Sequence, residues 1–213
     1  MGKTIQLSDY EYTLCELFSK ESAKTQQPIE FGQKETLERS IEEIARDNMI
    51  GKMAEVAVSK VLRVDFGKKF PVNYDVYQRG ECDDYDIVIN QWKLDIKSTR
   101  KGHWLLFETK KARFRAETGT LPDVIVMCRT PWDLAANRPA SKSVEIVGCV
   151  SMERLVNSAN VIRKGECIPG TRCQLQADNY AVEFERLSDF NSAAEYMFSH
   201  QRSKTKWRNR GND

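Results

Sequence analysis

One segment constrains this chain more than any other: YDIVINQWKLDIKST, residues 85–99. Two apolar runs, Ile87-Val88-Ile89 and Trp92 to Ile96, flank the polar pair Asn90-Gln91. β-Branched and aromatic residues at this density, broken by a short polar turn, predict a hairpin. Yet Asp86, Asp95 and Lys97 punctuate it. Burying an unpaired carboxylate is costly or forces it to take up a proton, so acids inside strands need partners. The two-residue period of a strand puts Tyr85, Ile87 and Ile89 on one face and Asp86, Val88 and Asn90 on the other. In the second run Leu94, Ile96 and Ser98 share a face, while Asp95 and Lys97 point the opposite way. A hairpin can therefore gather Asp86, Asp95 and Lys97 on one side of a sheet.

That gathering has a chemical meaning. Paired carboxylates beside an ammonium suit a divalent cation, because the acids are hard oxygen ligands and the ion offsets their mutual repulsion. Lys97 can then hold an attacking water or stabilise charge developing on a phosphate. Without a metal, the two acids compete for one proton. The ordinary alternative makes Asp95 and Lys97 a solvated strand edge and Asp86 a turn residue.

Around the hairpin the chain reads as α/β. Residues 8–20 predict a short helix, with Ser8 and Glu11 spaced as a capping box and Tyr10, Leu14, Leu17 and Phe18 as its apolar stripe. A helical pattern runs from Thr36 to about Arg63, with Leu37, Ile41 and Ile44 on one face and a possible break at Gly51. Residues 70–78, 84–90 and 92–99 predict an antiparallel three-strand meander. Residues 103–119 start as a strand and end as a helix. DVIVMCRT (123–130) and VEIVGCVS (144–151) are compact apolar runs of the kind found in buried central strands. A Ser-capped helix, a half-buried strand at 179–187 and a helix to about His200 complete the pattern. This order predicts an N-terminal helical extension (1–35), one α/β domain with a mixed sheet (36–200) and a basic tail (201–213).

Several function classes fall away. Net charge is only +2, so bulk charge does not announce a nucleic-acid binder, and the distribution of charge carries the argument. The six cysteines form no CxxC pair, which argues against a zinc site and for free thiols in a reducing cytoplasm. No apolar run is long enough to span a bilayer, the first residues lack a signal-peptide core, and Gln6 stands where a myristoylation signal needs Ser or Thr. Only His103 and His200 are present, and there is no Walker A loop or dinucleotide glycine pattern.

Asp86, an apolar run and then Asp95-Ile96-Lys97 resemble the PD-(D/E)XK nuclease superfamily, the fold of many restriction enzymes and Holliday junction resolvases. The resemblance covers roughly residues 45–187. It implies a restriction-endonuclease-like core, a mixed central β-sheet flanked by helices, whose elements run helix, three-strand meander, helix and strand. A glutamate on the first helix often completes the family's metal site. Here Glu55 in GKMAEVAVSKVL takes that place, beside small residues at the edge of an apolar face; a surface charge paired with Lys52 or Ser59 is the plainer account. The implied activity is a Mg²⁺-dependent (or Mn²⁺-dependent) endonuclease acting on DNA, cytoplasmic, of prokaryotic or phage type and homodimeric. Glu55, Asp86 and Asp95 would bind the metal with the Ile96 carbonyl, and Lys97 would orient the water. Tyr85 stands where the name-giving proline would be, and no Gln-x-x-x-Tyr follows Lys97, which disfavours the exonuclease branch. Asp84 shares a face with Asp86; Asp86 is preferred because Ile87-Val88-Ile89 starts directly after it.

Arg100, Lys101, Lys110, Lys111, Arg113 and Arg115 follow the motif closely and are the expected DNA contacts, with a solvated face as the alternative. The tail adds five further basic residues around Trp207. Two other readings compete: a nucleic-acid-binding module of the same fold that does no chemistry, and a protein-interaction domain with incidental acids.

Overall fold

The computed structural model describes residues 2–25, 40–78, 85–158 and 160–202. The chain opens with a strand, β1 (Lys3–Gln6), followed by helix α1 (Asp9–Thr25). Ser8 and Glu11 cap α1 reciprocally: the Ser8 N–H donates to the Glu11 carboxylate at 2.7 Å, and the Glu11 N–H donates to Ser8 Oγ at 3.2 Å. α2 (Ile41–Phe66) carries the same box built from Ser40 and Glu43 and ends at Gly67, whose φ of 65° is the left-handed conformation glycine tolerates. It runs unbroken through Gly51, because packing of Met49, Met53, Ala54, Val56, Ala57 and Val58 outweighs glycine's weak helix propensity.

β2 (Ile87–Ile89) and β3 (Trp92–Thr99) form the expected hairpin, joined at Asn90 and Gln91, both at positive φ. β4 (Trp104–Glu108) leads into α3 (Thr109–Glu117), which returns the chain to β5 (Val124–Arg129), parallel to β3. A small arm, β6 (Trp132–Asp133) and β7 (Arg138–Pro139), precedes the long strand β8 (Ser143–Ser151). α4 (Met152–Ser158), β9 (Asn160–Ile162), β10 (Asn179–Glu183) and α5 (Phe190–Ser199) follow. The central sheet has the order β1-β8-β5-β3-β2 and is mixed; β4, β10 and β9 form a second, antiparallel sheet. β5 and β8 are buried central strands, as their apolar runs predict.

Two apolar clusters cover the two faces of the central sheet. On one, α2 and α5 pack over Leu94, Ile96, Val124, Val126, Val144 and Ile146. On the other, α3, α4, β4 and β10 pack over Ile125, Met127 and Val150. Because side chains alternate along β3, Leu94 and Ile96 face α2, and Asp95 faces the α3 side.

Three expectations need correction. Residues 70–78 form no strand, so the meander has two strands. Phe70, Val72 and Tyr74 do alternate onto the core, but the backbone runs as a strap along α2. Its carbonyls accept from α2 side chains, Ser59 at Phe70 and Lys52 at Asn73, and Pro71 has no N–H for a ladder. Second, the N-terminal residues are not an appendage: β1 pairs with β8 as an edge of the central sheet and buries Ile5. Third, α1 is rotated from its predicted stripe. Cys15, Ser19, Ser22 and Ala23 are buried, whereas Tyr10 and Leu17 are exposed, because small residues let α1 approach α2 closely. Leu37 and the basic residues after Arg202 lie outside the described residues.

Candidate functional site

β3 brings Asp95 and Lys97 to the α3 side of the sheet, beside the short β2. Asp86 stands just before β2, where its N–H donates to the Leu94 carbonyl at 3.0 Å. One residue further the ladder stops. The Ile96 N–H, left without a strand partner there, donates to Asp86 Oδ2 instead. The hairpin register pairs Ile87 with Leu94, and just before it the Asp86 N–H donates to Leu94 and its carboxylate accepts from Ile96, so Asp86 lies beside the Leu94–Ile96 stretch of β3. Asp84 lies outside the described residues.

Asp95 is 6% exposed, among the few buried charged residues described. Arg115 Nη1 donates to its Oδ1 at 3.0 Å. Lys97 Nζ stands 2.6 Å from its Oδ2. The angle of that approach falls outside hydrogen-bond geometry, so the buried Oδ2 has the Lys97 charge beside it without a well-directed N–H. Burial alone would push the Asp95 carboxyl up; the Lys97 ammonium and the Arg115 guanidinium outweigh burial and hold it below the usual carboxylate range. Asp86 goes the other way. Burial raises it, the Asp95 charge raises it further, and the Ile96 N–H, Lys97 and Lys52 offset only part of this. Neighbouring acids whose protonation is driven apart occur both at proton- or cation-binding sites and in structural ion-pair networks. The Lys97 side chain is 34% exposed, so this end of the pair opens to solvent.

Glu55 is placed differently. It lies on α2, which covers the Leu94 and Ile96 face, while Asp95 belongs to the opposite face. Its Oε2 accepts from Lys52 Nζ at 2.6 Å, the pairing that its helical spacing allowed. Lys52 is itself buried. It donates to the Asn73 carbonyl at 2.6 Å and stands over the rings of Phe18 (4.3 Å) and Tyr74 (5.7 Å). Burial pushes the Cys15 thiol of the neighbouring α1 up to about 12, which leaves it uncharged. Among the described residues no three His, Cys, Asp or Glu side chains stand together as a group able to hold a metal ion.

The expected DNA contacts divide. Lys101, Lys110, Lys111 and Arg113 are exposed and Arg100 is half-exposed. Arg115 is not among them. It is 8% exposed and its charge is spent on Asp95 inside the fold. The signal was available: Arg115 is three residues from the buried Ala112 on a nine-residue helix, hence on its inner face. In the sequence it is masked by the surrounding basic run. Lys52 was legible only as a pairing option for Glu55.

No protein-family model matches the chain, and neither a curated protein nor a solved structure matches it. Among the described residues, no helix is long and apolar enough to cross a membrane.

Proposed function

We propose that this chain is a Mg²⁺-dependent endonuclease that hydrolyses DNA phosphodiester bonds. One observation carries the reading: the half-buried Asp86 and the buried Asp95 are neighbouring carboxylates, and the buried Oδ2 of Asp95 has the exchangeable Lys97 ammonium against it at 2.6 Å. A hard divalent cation suits that donor set and offsets the repulsion that pushes Asp86 up. Asp86, Asp95 and, by family resemblance, the Ile96 carbonyl would hold Mg²⁺ or Mn²⁺. When bound, the ion supplies Lewis acidity and a water acidified for attack. Lys97 leaves Asp95 for the solvent-facing side, where its ammonium orients the attacking water and meets the scissile phosphate. The resemblance would add Glu55 to this set, but its carboxylate is held by Lys52 on α2, and the proposal assigns the metal to Asp86 and Asp95 without it. Lys101, Lys110, Lys111 and Arg113 provide exposed cations for the phosphate backbone. The family resemblance extends the proposal to a cytoplasmic homodimer, each copy cutting one strand.

A second reading has an observation of its own. Lys97 and Arg115 already compensate Asp95, and Lys52 compensates Glu55, so the acids have cationic partners without a metal. This favours a nucleic-acid-binding module of the same fold that does no chemistry. Incubation with plasmid and branched DNA, with Mg²⁺ and with chelator, separates the two. Cleavage that requires Mg²⁺ and disappears in Asp95→Ala supports the nuclease. DNA binding with equal, negligible cleavage by wild type and Asp95→Ala supports the binding module.

A further inference from the structure

We propose that Arg115 is the positioning residue of the Asp86–Asp95 centre: it holds Oδ1 of Asp95 and so leaves Oδ2 to face a divalent cation. This rests on the metal-dependent reading above and adds to it a residue that the motif does not contain.

Burying a guanidinium is unfavourable unless both its charge and its N–H groups are matched. Arg115 meets that condition in an unusual way. The Thr120 N–H donates to the Arg115 carbonyl at 2.8 Å, and Arg115 Nε donates back to the Thr120 carbonyl at 2.9 Å. The loop after α3 thus clamps both the backbone and the side chain of one residue, which fixes the plane of the guanidinium. From that plane Nη1 reaches Asp95 Oδ1 at 3.0 Å. One oxygen of Asp95 is therefore held by a rigid planar donor, and against the other stands the partly exposed Lys97 ammonium at 2.6 Å in poor hydrogen-bond geometry, a cation that a divalent ion would replace. A ligand carboxylate oriented by an outer partner has this arrangement, and loss of such partners weakens metal affinity. If Arg115 only balanced charge, an ammonium in its place would serve as well. A positioning role requires the planar fork, because Lys has no fixed plane to hold.

The test uses the full chain and MnCl₂ alone, with Mn²⁺ affinity read by titration calorimetry and by the electron paramagnetic resonance signal of bound Mn²⁺. Arg115→Lys is expected to fold, as judged by its thermal transition, and to bind Mn²⁺ about 10- to 100-fold more weakly than wild type. Glu117→Gln, on the exposed side of the same helix, is expected to bind as wild type does. Wild-type affinity in Arg115→Lys overturns the positioning role and leaves the metal-dependent function standing. Failure of the wild-type chain itself to bind Mn²⁺ overturns both. Arg115→Met extends the series where it folds; where it does not, Arg115→Lys alone decides.

Discussion

Lys52 and Lys97 each lie 2.6 Å from a carboxylate oxygen, one on α2 and one on β3. Lys52 also has a backbone carbonyl and two aromatic rings around it, and hardly any of it reaches solvent. Lys97 is a third exposed and approaches an oxygen it does not properly hydrogen-bond. The first cation is satisfied where it stands, and moving it would break every one of those contacts. The second can leave. An ion pair surrounded by further partners behaves as architecture, whereas a poorly directed pair at a solvent boundary can exchange its cation. The comparison favours Asp86 and Asp95 over Glu55 as the working acids.

The largest expected effect tests which acid matters. Asp95→Asn is expected to reduce Mg²⁺-dependent cleavage by about 100- to 1000-fold, as removal of a group aimed at transition-state charge does. Glu55→Gln is expected to leave turnover per folded molecule unchanged. Equal losses in the two variants, measured on the same plasmid, would break the comparison and return Glu55 to the metal site.

The lysines should then part in stability. Lys52→Met removes the cation that meets Glu55, the Asn73 carbonyl and the Phe18 and Tyr74 rings, and is expected to cost about 3 kcal/mol in denaturant unfolding. Lys97→Ala is expected to abolish turnover while DNA affinity changes little, and to lower the unfolding midpoint by less than Lys52→Met does, because Arg115 still faces Asp95. A large loss of DNA binding in Lys97→Ala would mean that the ammonium serves the phosphate backbone and not the reaction.

The smallest effects concern pH, measured in chelator. Asp86 is raised by burial and by Asp95, so its contribution to stability is present in acid and lost as pH rises through the raised value. Asp86→Asn is therefore expected to raise Tm at pH 7, with the gain vanishing toward about pH 4, the ordinary carboxylate value. Asp95 is held low despite burial, by Lys97 and Arg115, so its contribution is present at neutral pH and lost as pH falls through the depressed value. Asp95→Asn should lower Tm at pH 7, and the deficit should shrink below about pH 4. Parallel pH profiles for the two variants would contradict the opposed electrostatics of the pair.

Much of the local structure was legible because local chemistry decided it. Ser8 with Glu11 marked the start of α1, Asn90-Gln91 marked the turn, and two uninterrupted apolar runs marked β5 and β8. The residues 70–78 misled because alternation reports which side chains meet a core, not what satisfies the backbone between them. There the partners came from Ser59 and Lys52 on α2. β1 is weakly marked: Thr4 to Leu7 alternates polar and apolar, but so short a stretch carries little periodic signal next to a strong helix.

The sequence by itself determined that Asp95 and Lys97 would share one face of β3, since a two-residue period admits no other outcome within one strand, and it allowed Asp86 to join them across a hairpin. It did not determine their neighbours. Whether the fourth partner is Glu55 or Arg115 depends on which helix covers which side of β3, and that is set by how α2 and α3 pack across the sheet. Only the tertiary structure decided that Arg115 turns inward to Asp95 and that Lys52 holds Glu55. Burial converts both from surface charges into fixed partners, and burial is a property of the packed whole.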